Sequence, residues 1–329
     1  MTEVRVIISG FGGVGRNVTR LLSARPGYRI VAAYTRNREL AGKDLGVLAG
    51  VQPLGVNATL DRAAALAEPA DLLLVATTSF LRDVAGDLRA GVEHGLNVIT
   101  TAEEAAFPWL TDYDLAVELD RLARDRGKTV IGLGLNPGFI FDALLLTATA
   151  IAWDVQGIRI RRVVNISRFS ETIQRRLGIG FTEEEFHAGV AAGTITGHIG
   201  FPQSFHLAAK CLGRTIERLE KSFQPLLTGG TTGGFIQHIA AIVDGKAWMS
   251  AEFHAHVAPE SVGYVAEDSI SIEGYNALNL KLTPGCQPQL GTAAMIANTI
   301  PRVMEAAPGF LTVADLAIPF ARRTVGSFG

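Results

Sequence analysis

Residues 4–22 read VRVIISGFGGVGRNVTRLL, and this stretch decides the fold. Val4, Val6, Ile7 and Ile8 form a short apolar run suited to a buried parallel strand. Gly10, Gly12 and Gly15 then spell G-x-G-x-x-G, with Phe11, Gly13 and Val14 between them, and a helix follows. Each glycine has its own purpose. Gly10 permits the tight turn, Gly12 lets backbone approach a pyrophosphate, and Gly15 lets the helix pack closely on the strand while its N–H groups face the phosphates. The motif is informative because a strand precedes it and a helix follows. The alternative is a merely structural glycine-rich turn.

A chain of 329 residues suggests two domains. With 48% hydrophobic residues, 19% charged and a net charge of −2, there is material for a large core and no basic or acidic block. Nucleic acid and membrane are therefore not expected as partners. Cys211 and Cys286 show no ligand spacing, so neither a disulfide framework nor a metal site is expected. The amino terminus runs straight into a strand with no secretory signal, and no apolar run approaches the ~20 residues of a membrane span. A soluble cytoplasmic protein is the expectation.

Further along, Tyr28–Tyr34 reads as the second strand. At its end, where a carboxylate would serve NAD, stand Thr35, Arg36, Asn37 and Arg38. Two guanidiniums suit a 2′-phosphate, so NADP(H) is preferred, with NAD(H) kept open by Glu39. Solvated loop charges are the other reading. Asp61–Ala67 reads as a short helix and Leu72–Ala76 as a strand. Thr77, Thr78 and Ser79 lie at that strand's carboxyl end, placed for ribose or nicotinamide contact or for capping the helix at 80–94. A strand at 97–100, a helix at 112–126 and a strand at 129–133 complete a doubly wound parallel sheet, a Rossmann α/β fold. The boundary is placed at 138/139, after G-L-N-P-G at 134–138.

The second half reads as an α+β domain, 139–290, with an antiparallel sheet. Its strands are Gly157–Ile166, Phe235–Val243, Lys246–Val257, Ser269–Glu273 and Ala277–Leu282. Asp244-Gly245 signals a hairpin. His254 and His256 fall on the polar face of an alternating strand and read as solvated. Thr182 and Glu185 spell a capping box. A C-terminal segment, 291–329, is expected to be helical and to pack back on the first domain.

Glu103 and Glu104 follow the strand at 97–100 and are the candidate acid/base pair. Thr101-Ala102-Glu103-Glu104 also spells a capping box, in which Glu104 would bond back to Thr101 and leave Glu103 the freer group. His198, between glycines in G-H-I-G-F-P, is the histidine marked for a site. Arg168 and Phe169 open a loop able to reach substrate. No G-x-S-x-G element or Cys–His pair supports a hydrolase.

Several motifs, taken in order, carry a resemblance: G-F-G-G-V-G at 10–15, N-V-I-T-T-A-E-E at 97–104, G-L-N-P-G-F-I-F-D at 134–142, I-Q-R-R-L-G-I-G at 173–180, T-E-E-E-F-H-A-G at 182–189 and G-H-I-G-F-P-Q-S at 197–204. The chain resembles the 2,4-diaminopentanoate dehydrogenases and native amine dehydrogenases, within the wider dihydrodipicolinate reductase group. The resemblance implies reversible NAD(P)-dependent reductive amination of a ketone or aldehyde with ammonia. One glutamate of the doublet would serve as acid/base, and the protein would be a homodimer. It extends to Asn136 as a cofactor contact. Phe139, Phe141, Phe169 and Trp109 would line an apolar pocket, with Arg168 the one candidate for a carboxylate clamp. Ala102 stands where the family often has Cys, and Leu290–Ala294 departs from the usual start of the late helix. A diaminopentanoate-type dehydrogenase, an imine reductase and an NADPH-binding regulator without turnover are the alternatives.

Overall fold

The structure is a computed structural model and describes residues 3–321; the end of the expected C-terminal segment, 322–329, lies outside the described residues. The strands of the first half are β1 (Val4–Ser9), β2 (Tyr28–Tyr34), β3 (Ala58–Thr59), β4 (Leu72–Val75), β5 (Asn97–Thr100) and β6 (Thr129–Gly132). Then come β7 (Gly157–Asn165), β8 (Arg218–Thr228), β9 (Thr231–Val243), β10 (Lys246–His256), β11 (Glu267–Glu273), β12 (Leu278–Leu282) and β13 (Gly309–Leu311). Two compact units result, Met1–Ala143 with Gln289–Gly329, and Leu144–Pro288. The sequence reading had placed these divisions at 138/139 and 290/291.

In the first unit, seven parallel strands run in the order β13-β6-β5-β4-β1-β2-β3. This is the doubly wound Rossmann order with one strand added at the β6 edge. Both faces of the central strands are covered, so every residue of β4 and β5 is buried, the polar Asn97 and Thr100 included. Ile7, Leu73, Val98 and Val130 form the core of one face with Leu88 and Leu119 from the helices Leu81–Glu93 and Tyr113–Asp125. The pairing register sets Tyr34, Ser9, Val75, Thr100 and Gly132 side by side. That row is the carboxyl edge of the sheet, from which the loops at 35–38, 10–15, 76–80, 101–104 and 133–138 all depart.

The late helix runs Pro288–Glu305, beginning three residues before the expected segment 291–329. The chain then re-enters the sheet as β13, whose three residues are too short to show a period; the segment is thus not wholly helical.

In the second unit the sheet order is β12-β11-β7-β10-β9-β8. The expected antiparallel sheet is in fact mixed, since β7 and β10 pair in parallel. The chain between them is long, as a parallel pair requires: it passes through the helices Glu171–Arg176, Glu183–Ala191 and Phe201–Cys211 and then through β8 and β9. The β9–β10 hairpin turns on Asp244 and Gly245 at φ 50° and 72°, as a tight two-residue loop demands. The capping box at Thr182 and Glu185 forms. β8 had no counterpart in the sequence reading: it is a mostly exposed edge strand carrying Pro225, with little apolar period. His254 and His256, read as solvated, are 3% and 1% exposed. The His256 ring is enclosed by Gly233 and Gly234 of β9, bonds to Thr228 Oγ1 at 3.2 Å and accepts the Ala258 N–H at 2.9 Å. Burial holds its pKa below the ordinary histidine value, with Glu260 acting the other way.

Candidate active site

The turn after β1 is built as its glycines require. Gly10 has φ 85°, and a Cβ there would lie 2.5 Å from Ala76 O. Its N–H donates to Tyr34 O at 3.0 Å, so the turn is pinned between the ends of β2 and β4. A Cβ on Gly15 would collide with Gly10 O, which keeps the helix Gly13–Ser23 hard against the turn. Gly12, the N-cap residue, is exposed with open space around it, and no side chain caps the helix. This is the room and the polarity that a pyrophosphate needs. Val14 is half-buried, and the Phe11 ring is buried, so Phe11 offers only its backbone here.

Beyond β2, Thr35 is buried and its hydroxyl accepts the Asn37 N–H at 3.1 Å, while Asn37 caps the single turn Arg38–Leu40. Arg36 and Arg38 are exposed, and neither guanidinium has a hydrogen-bond or ion-pair partner among the described residues. Cationic groups without protein partners at this position suit a 2′-phosphate.

At the end of β4, Thr77 is exposed and Thr78 bonds weakly to Asp83, at 3.4 Å. Ser79, expected beside them for ribose or nicotinamide contact or as a helix cap, instead meets a carboxylate: its hydroxyl donates to Glu103 Oε1 at 2.8 Å. The expected capping box at Thr101–Glu104 does not form. Residues 103–106 make a turn of 3₁₀-helix with no side-chain cap. Glu104 instead accepts the Leu81 N–H at 2.8 Å, at the start of the neighbouring helix Leu81–Glu93, while its own N–H donates to Ser79 O. The two glutamates are thus divided. Glu104 closes a helix terminus, and Glu103 is held by a hydroxyl at the sheet edge.

After β6, Leu133 N–H donates to Thr100 O at 2.9 Å and Asn136 lies half-buried in the following loop. Gly138 N–H donates to the buried Asp142 at 2.6 Å, which closes that loop. Phe139 is partly exposed. Phe141, expected to line the pocket, is 0% exposed and presents no surface to a substrate. Trp109 packs edge-on against Phe107 and tilted against Phe310.

The remaining candidates belong to the second unit. Arg168 is exposed and lines a cavity of about 460 Å³ with Asn165, Ser167 and Cys286. Phe169 is half-buried, its carbonyl accepting from Gln174 at 3.0 Å. His198 is held on several sides. Gln237 accepts its N–H at 2.7 Å and donates to its carbonyl at 3.0 Å, and its Nδ1 accepts the Gly200 N–H. The ring stacks on Phe201 at 4.4 Å.

A parallel sheet in this order with an open glycine turn at its switch point defines a Rossmann-type NAD(P)-binding fold. The dihydrodipicolinate reductase N-terminal profile matches residues 4–102, and that of the 2,4-diaminopentanoate dehydrogenase C-terminal domain matches 139–326. A 2,4-diaminopentanoate dehydrogenase from Acetoanaerobium sticklandii is 33% identical over 100% of this chain and 97% of its own. An amine dehydrogenase from Streptomyces virginiae is 20% identical over 99% of each. The solved amine dehydrogenase from Mycobacterium smegmatis superposes with a TM-score of 0.86 at 26% identity, covering 98% of both chains. The chain belongs to the 2,4-diaminopentanoate dehydrogenase family and is an oxidoreductase of the amine dehydrogenase kind. Among the described residues, no helix is long and apolar enough to cross a membrane.

Proposed function

We propose that this protein catalyses reversible reductive amination of a small ketone or aldehyde with ammonia, preferring NADPH, with Glu103 as acid/base and a homodimer as the working form. The observation that carries this is the Ser79–Glu103 hydrogen bond at the same sheet edge as the glycine turn. The bound nicotinamide would supply or take up the hydride. Glu103 would take a proton from ammonium, freeing ammonia to attack the carbonyl carbon. The same carboxyl would return that proton to the carbinolamine oxygen, which leaves as water and gives the iminium for reduction. Backbone N–H groups at Gly12–Gly15 would hold the pyrophosphate, Arg36 and Arg38 the 2′-phosphate, and Thr77, Thr78 and Asn136 the ribose and nicotinamide. His198, Arg168, Phe169 and Phe139 are proposed as substrate contacts.

The test is NADPH oxidation with a panel of ketones and aldehydes, with and without ammonium. Strict dependence on ammonium is expected. Turnover that ignores ammonium would point to a different reductase chemistry, and dinucleotide binding without any turnover would point to a sensor.

A further inference from the structure

The start of the late helix carries a polar group that the mechanism above does not use. Gln289 is the second residue of the helix Pro288–Glu305. Its side-chain amide lies against Gly13, where a Cβ would come 2.5 Å from Oε1 and 2.8 Å from Nε2. The amide makes no hydrogen bond among the described residues. The backbone that carries it is anchored by the next turn of the same helix. Thr292 Oγ1 accepts the Leu135 N–H at 3.1 Å, and Gly291 sits so close to the Leu135 side chain that a Cβ would lie 2.9 Å from it. The helix start is therefore bolted to the loop after β6, and the glutamine amide is held over the glycine turn. An amide without hydrogen-bond partners among the described residues, on an anchored backbone beside a turn that suits an anion, is a donor waiting for an acceptor.

We propose that Gln289 is a cofactor-binding residue whose Nε2–H donates to the pyrophosphate of the dinucleotide seated on Gly12–Gly15. This rests on the reading of that turn as the dinucleotide site. Phosphate oxygens only accept, so the amide orientation with nitrogen toward the ligand follows from the chemistry. The absence of a side chain at Gly13 is part of the same arrangement, because a methyl group there would push the amide away.

Calorimetric titration with NADP⁺ and NAD⁺ tests this without reference to turnover. Gln289→Ala should weaken both by about tenfold, and by the same factor, because both share the pyrophosphate. Gln289→Glu keeps the shape but sets a carboxylate beside phosphate, and should weaken both at least as much. Gly13→Ala should cost affinity in the wild-type background and little in the Gln289→Ala background. Full affinity in Gln289→Glu would mean the residue only packs, and unchanged affinity in Gln289→Ala would remove the role altogether. If the unaltered protein binds neither dinucleotide, the reading of the turn itself falls, and this proposal with it.

Discussion

Ser79 Oγ donates to Glu103 Oε1 at 2.8 Å, joining the loop after β4 to the loop after β5. The neighbouring carboxylate, Glu104, accepts the Leu81 N–H, two residues further along the same segment. Adjacent residues of one type thus have different tasks, set by which group of the segment after β4 each one meets, a hydroxyl or a helix-terminal N–H.

Glu103→Gln should therefore lower ammonium-dependent turnover by about 10²–10⁴-fold with little change in melting temperature. Glu104→Ala should do the reverse, costing about 1 kcal/mol of stability through loss of the helix-terminal bond while retaining most activity. Steady-state kinetics and thermal melts of the two variants decide the assignment, and a larger kinetic loss at Glu104 would reverse it.

Ser79 is a positioning residue on this view. Ser79→Ala should lower kcat by about tenfold with a small change in the KM for ammonium, since a misplaced group slows chemistry more than it weakens binding. Ser79→Thr restores the hydroxyl and should recover most of the loss; failure of that rescue would argue for packing alone.

Cofactor choice is tested at the β2 end. Arg36→Ala and Arg38→Ala should weaken NADPH by about tenfold each and NADH hardly at all, because only NADPH carries the 2′-phosphate. Equal losses for the two cofactors would defeat the argument.

The buried His256 predicts a pH dependence of stability. Its folded-state pKa lies below the ordinary value because burial disfavours the charged ring. As pH falls through the ordinary histidine range near 6.5, the unfolded chain takes the proton first, so stability is present above that range and is lost on acidification. The melting temperature should drop between pH 7.5 and 5.5, and His256→Gln should flatten that slope even though it lowers stability at pH 7.5. An unchanged slope would show that other groups carry it.

Local patterning made most of the first unit legible. The short apolar stretches in 4–8 and 72–75, with flanking turn signals, read as buried strands, and Gly10, Gly12 and Gly15 fall where a turn needs them. The Glu doublet and the Asp244-Gly245 hairpin were visible for the same reason, since each is a short-range signal. What short-range signals could not decide was the partner of each group. Thr101–Glu104 spells a capping box within one loop, yet the fold brings another partner, the Leu81 N–H, from the start of the helix that follows β4. Likewise β10 alternates as a half-solvated strand should, but β7, β9 and the chain beyond cover His254 and His256. Gln289 shows the same limit, because nothing in its own neighbourhood mentions Gly13, 276 positions away. Sequence by itself determined most elements of the first unit, the glycine turn and the carboxylate pair, because these depend on residues a few positions apart. Only tertiary structure decided which carboxylate meets Ser79, which histidines lose water and which amide covers the turn, because hydrogen-bond partners and burial depend on what long-range packing brings within about 3 Å.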